Sequence, residues 1–257
     1  MIGRRYVGCC RSSTCRPRSA VCGRGISVHI LKPTGHGLLT PGQISILKAF
    51  AKLPDSDRFF LTGGTALAEF YLGHRQSFDL NLFTSEEGLI LPFSHVFERG
   101  LKGAGLQVQI VRRLATFVEF AVETSDEEVR VQLAYDSPFR FRPPEETPLG
   151  KVNDFQDLAV DKLLAFFGRA EPRDAVDLLF LLKEVSLEEL MELASQKDSG
   201  FDPYWLARAF QRVQGFPDEP EHWPVEMVVP WDPHEIKTLF AHLAQTVLAS
   251  LRRGDKG

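Results

Sequence analysis

The chain has 257 residues, 44% hydrophobic and 25% charged, with a formal net charge of −4; these are ordinary values for a soluble globular protein of one large domain or two small ones. No apolar run approaches the ~20 residues that span a bilayer, so no membrane partner is expected. No Asp or Glu precedes Asp55, whereas nine of the thirty Lys and Arg do, leaving 21 basic against 34 acidic residues in the remainder; a body this acidic is unsuited to broad nucleic-acid adhesion, and any RNA contact should be local.

Residues 1–36 differ from the rest. They are rich in Arg, Ser and Gly and hold all four cysteines, Cys9, Cys10, Cys15 and Cys22. Cys10 and Cys15 have zinc-like spacing, but Cys22 stands alone and no His pair follows. An Arg- and Ser-rich, acid-poor stretch also fits a transit peptide, though without its amphipathic pattern. The preferred reading is a disordered basic tail. With no secretory apolar region, the cysteines do not read as a disulfide scaffold.

Pro41 to Lys52 reads as an amphipathic helix capped by Thr40, with Ile44, Leu47, Phe50 and Ala51 as its apolar stripe. The stretch that organises the chain follows, Leu61 to Thr84. Gly63-Gly64-Thr65 comes after the apolar run Phe59-Phe60-Leu61, and Ala66 to Leu72 form a short apolar helix ending at Gly73. After His74-Arg75-Gln76-Ser77, the segment Phe78 to Phe83 alternates apolar and polar, the period of a half-buried strand. Asp79 and Asn81 then share one strand face. A glycine turn at a helix start brings backbone N–H groups and a favourable dipole to a phosphate. Carboxylates on a nearby strand face can hold Mg²⁺ against the same phosphates. Together they describe a nucleotidyltransferase centre; a plain αβ connection is the alternative.

A helix is expected from about Pro92 to Ala104; its lone His95 receives no role. Strands follow at 106–112, 117–122 and 129–135, the last two joined by a turn at Ser125 to Glu128. The second informative stretch, Asp157 to Lys183, reads as two helices, with Gly168 ending the first and Pro172 opening the second. Lys162 sits inside an otherwise apolar helix, and Arg169, Arg173, Asp174 and Asp177 cluster about the turn. The structural reading is an ion-pair latch between helices. The functional reading has Lys162 contact a triphosphate, with Asp174 or Asp177 orienting it or giving acid–base help. Helices are expected at 186–196, 203–213 and 233–252. Trp223 and Trp231 lie in a proline-bearing loop and read as loop anchors rather than base-stacking groups.

Both blocks resemble the nucleotidyltransferase AbiEii/AbiGii toxin family of the polymerase-β-like superfamily. The first pattern in that family is a Gly-Gly/Ser-Thr turn, a helix ending in Leu-Gly-His-Arg and a strand with Asp-x-Asp; the chain has Gly63, Gly64, Thr65, Leu72, Gly73, His74, Arg75 and Asp79, but Asn81 in place of the second acid. The second pattern matches at Lys162, Leu163, Ala165, Arg169, Arg173, Asp174, Asp177 and Leu178. The superfamily's third carboxylate corresponds to Gln132, with Asp136 the nearest acid.

The resemblance implies an α/β fold, a minimal nucleotidyltransferase mixed sheet with flanking helices over residues 37–150, followed by a helical half over 151–257 that completes the cleft. It implies a cytoplasmic toxin of a toxin–antitoxin pair, transferring a nucleotide from an NTP to an acceptor such as tRNA. Gly63, Gly64, Thr65, Arg75, Lys162 and Arg173 would bind the nucleotide. Asp79, Asn81 and Asp136 would hold Mg²⁺, and Asp79, Lys162, Asp174 and Asp177 would serve catalysis. The alternative is a degenerate nucleotide-binding or regulatory protein of the same fold.

Overall fold

The computed structural model describes residues 31–254; the cysteine-bearing segment lies outside the described residues. Strands β1 (Phe60–Thr62), β2 (Leu80–Thr84), β3 (Gln107–Arg113), β4 (Phe117–Glu123), β5 (Glu128–Tyr135), β6 (Glu145–Thr147) and β7 (Gly150–Val152) form one mixed sheet in the order β3-β4-β5-β2-β1-β7-β6. β2 runs parallel to β5 and antiparallel to β1, and β3, β4 and β5 form an antiparallel meander.

Period-2 alternation gives this sheet two unlike faces. Leu80 and Leu82 of β2, Val118 and Phe120 of β4, and Val131 and Leu133 of β5 are buried. They pack beneath α1 (Pro41–Phe50) and α3 (Ile90–Gly103), where the rings of Phe50, Phe59, Phe93, Phe97 and Phe120 lie against one another. The intervening residues bear a polar row on the other face. Thr62 is opposite Asn81, Asn81 opposite Gln132, and Gln132 opposite Glu119.

The second half is helical: α4 (Phe155–Arg169), α5 (Pro172–Leu181), α6 (Leu187–Lys197), α7 (Pro203–Arg212) and α8 (Pro233–Gly254). Side-chain caps start four of them, at Asp154, Ser186, Asp202 and Asp232, where a short side chain accepts from free backbone N–H groups. Phe166, Phe210 and Phe240 join α4, α7 and α8 in one aromatic contact.

Four local expectations change. The buried stripe of α1 is Ile46, Leu47 and Phe50, while Ile44 is only half-buried. The apolar helix after the glycine turn is α2 (Gly63–Leu67) followed by a wider π-helical turn, Ala68–Leu72. Gly168 lies inside α4, and Ala170, at φ 49°, makes the left-handed exit instead. Finally, β6 and β7 lie beyond the last strand expected, 129–135. Residue 150 opens β7, which lies parallel beside β1, so the chain returns to the sheet before entering the helical half.

Candidate active site

β1 ends directly in the Gly63-Gly64 turn, and α2 starts there. Gly63 has φ 74°, and a Cβ on it would sit 2.6 Å from the Asn81 amide nitrogen. A Cβ on Gly64 would sit 2.6 Å from Arg75 Nη2 and 2.9 Å from Ser77 Oγ. Both glycines therefore allow a close approach, one of the Asn81 side chain and one of the Arg75 guanidinium. Thr65 fastens the turn to the next segment, its Oγ1 donating to the Asp79 carbonyl and lying 3.0 Å from Ser77 Oγ.

These residues open on a cavity of about 740 Å³ between the sheet and α4. Gly63, Gly64, Arg75, Asp79, Asn81, Gln132, Asp136, Lys162, Arg169 and Arg173 all line it. Two blocks of sequence some eighty residues apart thus meet across one cleft. Thr65, Asp174 and Asp177 lie behind its wall. On α4 the lining residues Leu158, Asp161, Lys162, Ala165 and Arg169 form a helical stripe.

Asp177 is the centre of the wall. It is fully buried and accepts from Arg75 Nε at 2.6 Å and Nη2 at 3.0 Å. The two Arg75 bonds fall on different oxygens, Oδ1 and Oδ2; Lys162 Nζ lies 2.6 Å from Oδ2, and His74 Nε2 lies 2.8 Å from Oδ1. Burial alone would raise the Asp177 pKa, but the charges of Arg75 and Lys162, with hydrogen bonds from His74 and Arg75, hold it well below the carboxylate range. Burial likewise works against the Arg75 charge, and Asp177, helped by Asp174 and Asp79, more than restores it. For His74 burial wins: its pKa is lowered despite the Asp177 contact, so the ring is neutral, and its Nδ1 has no hydrogen-bond partner among the described residues. Asp174, also fully buried, binds Arg169 through Nε at 2.6 Å and Nη2 at 2.8 Å. The latch reading of this cluster is therefore present in the geometry. Asp174 and Asp177 thus contact Arg169, Lys162 and Arg75 from behind the cleft wall. Arg173 pairs with Glu171 at 2.9 Å and stays half exposed at the rim.

The oxygen donors opposite are unequal. The Asp79 carboxylate takes no hydrogen bond or ion pair from the described residues, whereas Asp136 accepts from Arg140 at 2.7 Å and from Ser137 N at 2.9 Å. Gln132 donates to Glu119 at 3.3 Å. Among the described residues no group of three or more His, Cys, Asp or Glu side chains is arranged to hold a metal ion. One open carboxylate with neighbouring amide oxygens does fit Mg²⁺ of the kind that takes its other ligands from substrate phosphates.

Asp161 was missed in the sequence because it looked like the polar side of an amphipathic helix. It lines the cleft, 34% exposed, 2.6 Å from Lys197 Nζ. Burial raises its pKa against the pull of Lys197. Its spacing, three residues after Leu158 and one before Lys162, was the available signal.

The sheet, its glycine turn and the helical wall define a nucleotidyltransferase toxin fold. Residues 45–223 match the family described as nucleotidyl transferase AbiEii toxin, Type IV TA system, and the chain belongs to that family. Among solved structures it is similar to JHP933 from Helicobacter pylori, at 22% identity and a TM-score of 0.51, over 82% of this chain and 91% of that one. It is also similar to MenT4, a nucleotidyltransferase toxin from Mycobacterium tuberculosis, at 17% identity and a TM-score of 0.53, over 80% and 85% of the two chains. Both likenesses concern the fold. No curated protein matches the chain.

Proposed function

We propose that the chain transfers a nucleoside monophosphate from an NTP to a hydroxyl of RNA, with tRNA as the favoured acceptor, and that it acts in the cytoplasm as the toxin half of a pair with a cognate antitoxin. The observation that carries this is the convergence, on one cleft, of the Gly63-Gly64 turn, the paired cations Arg75 and Lys162, and the open Asp79 carboxylate. The triphosphate lies along the turn and the start of α2. Arg75 and Lys162 offset its charge from positions set by Asp177, and Arg169 and Arg173 extend the positive wall toward the rim. An acceptor oxygen attacks the α-phosphorus, the bond from that phosphorus to the α–β bridging oxygen breaks, and pyrophosphate leaves. Asp161, with its raised pKa and its place in the cleft, takes up the hydroxyl proton. Mg²⁺, held by Asp79 with the Asn81 amide oxygen, would stabilise charge on the phosphates. Asp136 would have to exchange Arg140 for the metal to join them.

A second reading has its own support. Asn81 and Gln132 are directly opposed in the β2–β5 register, so two neutral amides stand side by side where acids are expected. A chain that keeps the cleft but no longer turns over would look the same. Incubation with Mg²⁺, each labelled NTP and total tRNA separates the two. Label transferred by the native chain and lost in Lys162→Ala supports the transferase. Transfer only by Asn81→Asp supports a binding or regulatory role.

A further inference from the structure

We propose that the cleft holds a dedicated nucleobase slot, with Phe78 as one wall and Pro224 and Val225 as the other, which takes the base of the incoming NTP. The inference rests on the transferase reading and adds where the base goes.

Phe78 lines the cleft and is 45% exposed, an unusual place for a large apolar ring beside the charged lining. Its backbone is nonetheless fixed on both sides. Thr65 Oγ1 donates to the Asp79 carbonyl and lies 3.0 Å from Ser77 Oγ, and Gln43 Nε2 donates to the Ser77 carbonyl at 2.8 Å. The backbone that carries the ring is thus held in position while much of the ring surface is left open, which suits a platform for a planar ligand.

The opposite wall comes from the proline-bearing loop after α7. That loop pairs antiparallel with the segment before Phe78: Val228 N donates to His74 O at 3.1 Å, Arg75 bridges Met227, and Gln76 N donates to Glu226 O at 2.7 Å. Beyond Glu226 the next two loop residues, Val225 and Pro224, line the same cleft as Phe78. The ladder stops there for a chemical reason. Pro224 has no N–H, and Val225 N turns back to the Trp223 carbonyl at 2.8 Å. Trp223 holds the loop in place: it is 4% exposed, lies edge-on to Phe216 and Trp231, and donates Nε1 to the Pro217 carbonyl at 3.0 Å. The two strands of chain are therefore tied together up to Gln76 and untied where their apolar side chains meet the cleft. Phe78 lies three residues from Arg75, within about 10 Å of extended chain, and the Arg75 guanidinium rests against Gly64. A single nucleotide can reach from the phosphate turn to this slot, which favours the NTP base over a base of the acceptor.

Isothermal titration calorimetry in Mg²⁺ with each NTP and with inorganic tripolyphosphate, on native chain, Phe78→Ala and Phe78→Trp, tests the slot. Phe78→Ala should weaken NTP binding between about fivefold and a hundredfold, the loss of one base–aromatic stack, leave tripolyphosphate binding unchanged, and be rescued by Phe78→Trp. Equal affinity of the native chain for NTP and tripolyphosphate, or NTP affinity unchanged in Phe78→Ala, overturns the slot and leaves the transferase reading standing. Unchanged NTP affinity with impaired transfer to RNA reassigns Phe78 to the acceptor and also overturns it. Binding of neither ligand by the native chain overturns both.

Discussion

Asp177 shows how one buried residue can set several others. It has no exposure, yet it fixes Arg75 through two hydrogen bonds and Lys162 through an ion pair, and both cations face the cleft. Removing the carboxylate leaves two buried cations without their shared partner. Asp177→Asn should therefore cost about 3–5 kcal/mol of stability, measured by urea denaturation, as well as NTP affinity. His74 gives the site a pH dependence of known sign. Its folded pKa lies below 6.5, so the unfolded chain binds the proton first. The favourable contribution is complete above about pH 6.5 and declines as pH falls below that value toward the folded pKa. In melts between pH 7.5 and 5, the difference in Tm between native chain and His74→Gln should shift against the native chain as pH falls; a difference constant with pH would contradict the neutral, buried assignment. Most of these residues were visible in the sequence, because polar groups inside apolar helices stand out. Their division of labour was not: spacing places Lys162, Asp174 and Asp177 near one turn but does not say which of them reaches the cleft. Asp161 was overlooked because an Asp beside a Lys on an amphipathic helix looks like solvated surface.

At the scale of elements, the legible parts were those with a strong period. β2 to β5 fall within one or two residues of expectation because each alternates, while the Asn81–Gln132 opposition agrees with the position that the family resemblance implied for Gln132. β6 and β7 have three residues each, too few to show a period. The exit from α4 was misplaced because glycine is the usual left-handed residue; here Ala170 takes φ 49° while buried, so packing overrides preference. The glycine turn itself was legible, but its reason was not. Its two glycines make room for side chains from β2 and from the segment before it, contacts distant enough that only the folded chain shows them. Gly64→Ala puts a methyl against Arg75, whose guanidinium cannot yield without breaking its bonds to Asp177. The expected outcome is at least a tenfold loss of NTP affinity with a smaller change in Tm. Equal affinity for native and variant chains, read by calorimetry, would show that Arg75 does not serve the phosphates.

The cleft exists only because the two halves of the molecule are fastened together. β7 joins β1, the Tyr71 ring lies 5.5 Å from Phe155, and Tyr71 Oη donates to the Asn153 carbonyl at 2.9 Å. His74 and Arg75, from the first half, end on Asp177 of α5. The buried apolar residues run without a break from Ile46 to Val247. A core of that form should unfold as one cooperative unit, even though the sequence divides naturally near residue 150. Phe240 is a sensitive probe because it is fully buried on α8, far along the chain from the sheet. Phe240→Ala should cost about 3–5 kcal/mol. If the unit is single, hydrogen exchange of the β4 and β5 amides, which do not touch Phe240, should lose protection by the same free energy as the amides of α7 and α8. Loss confined to the helices would mean that the halves open independently. The helical wall would then part from the glycine turn without global unfolding, and NTP, which the proposed function binds across both, should restore the coupling.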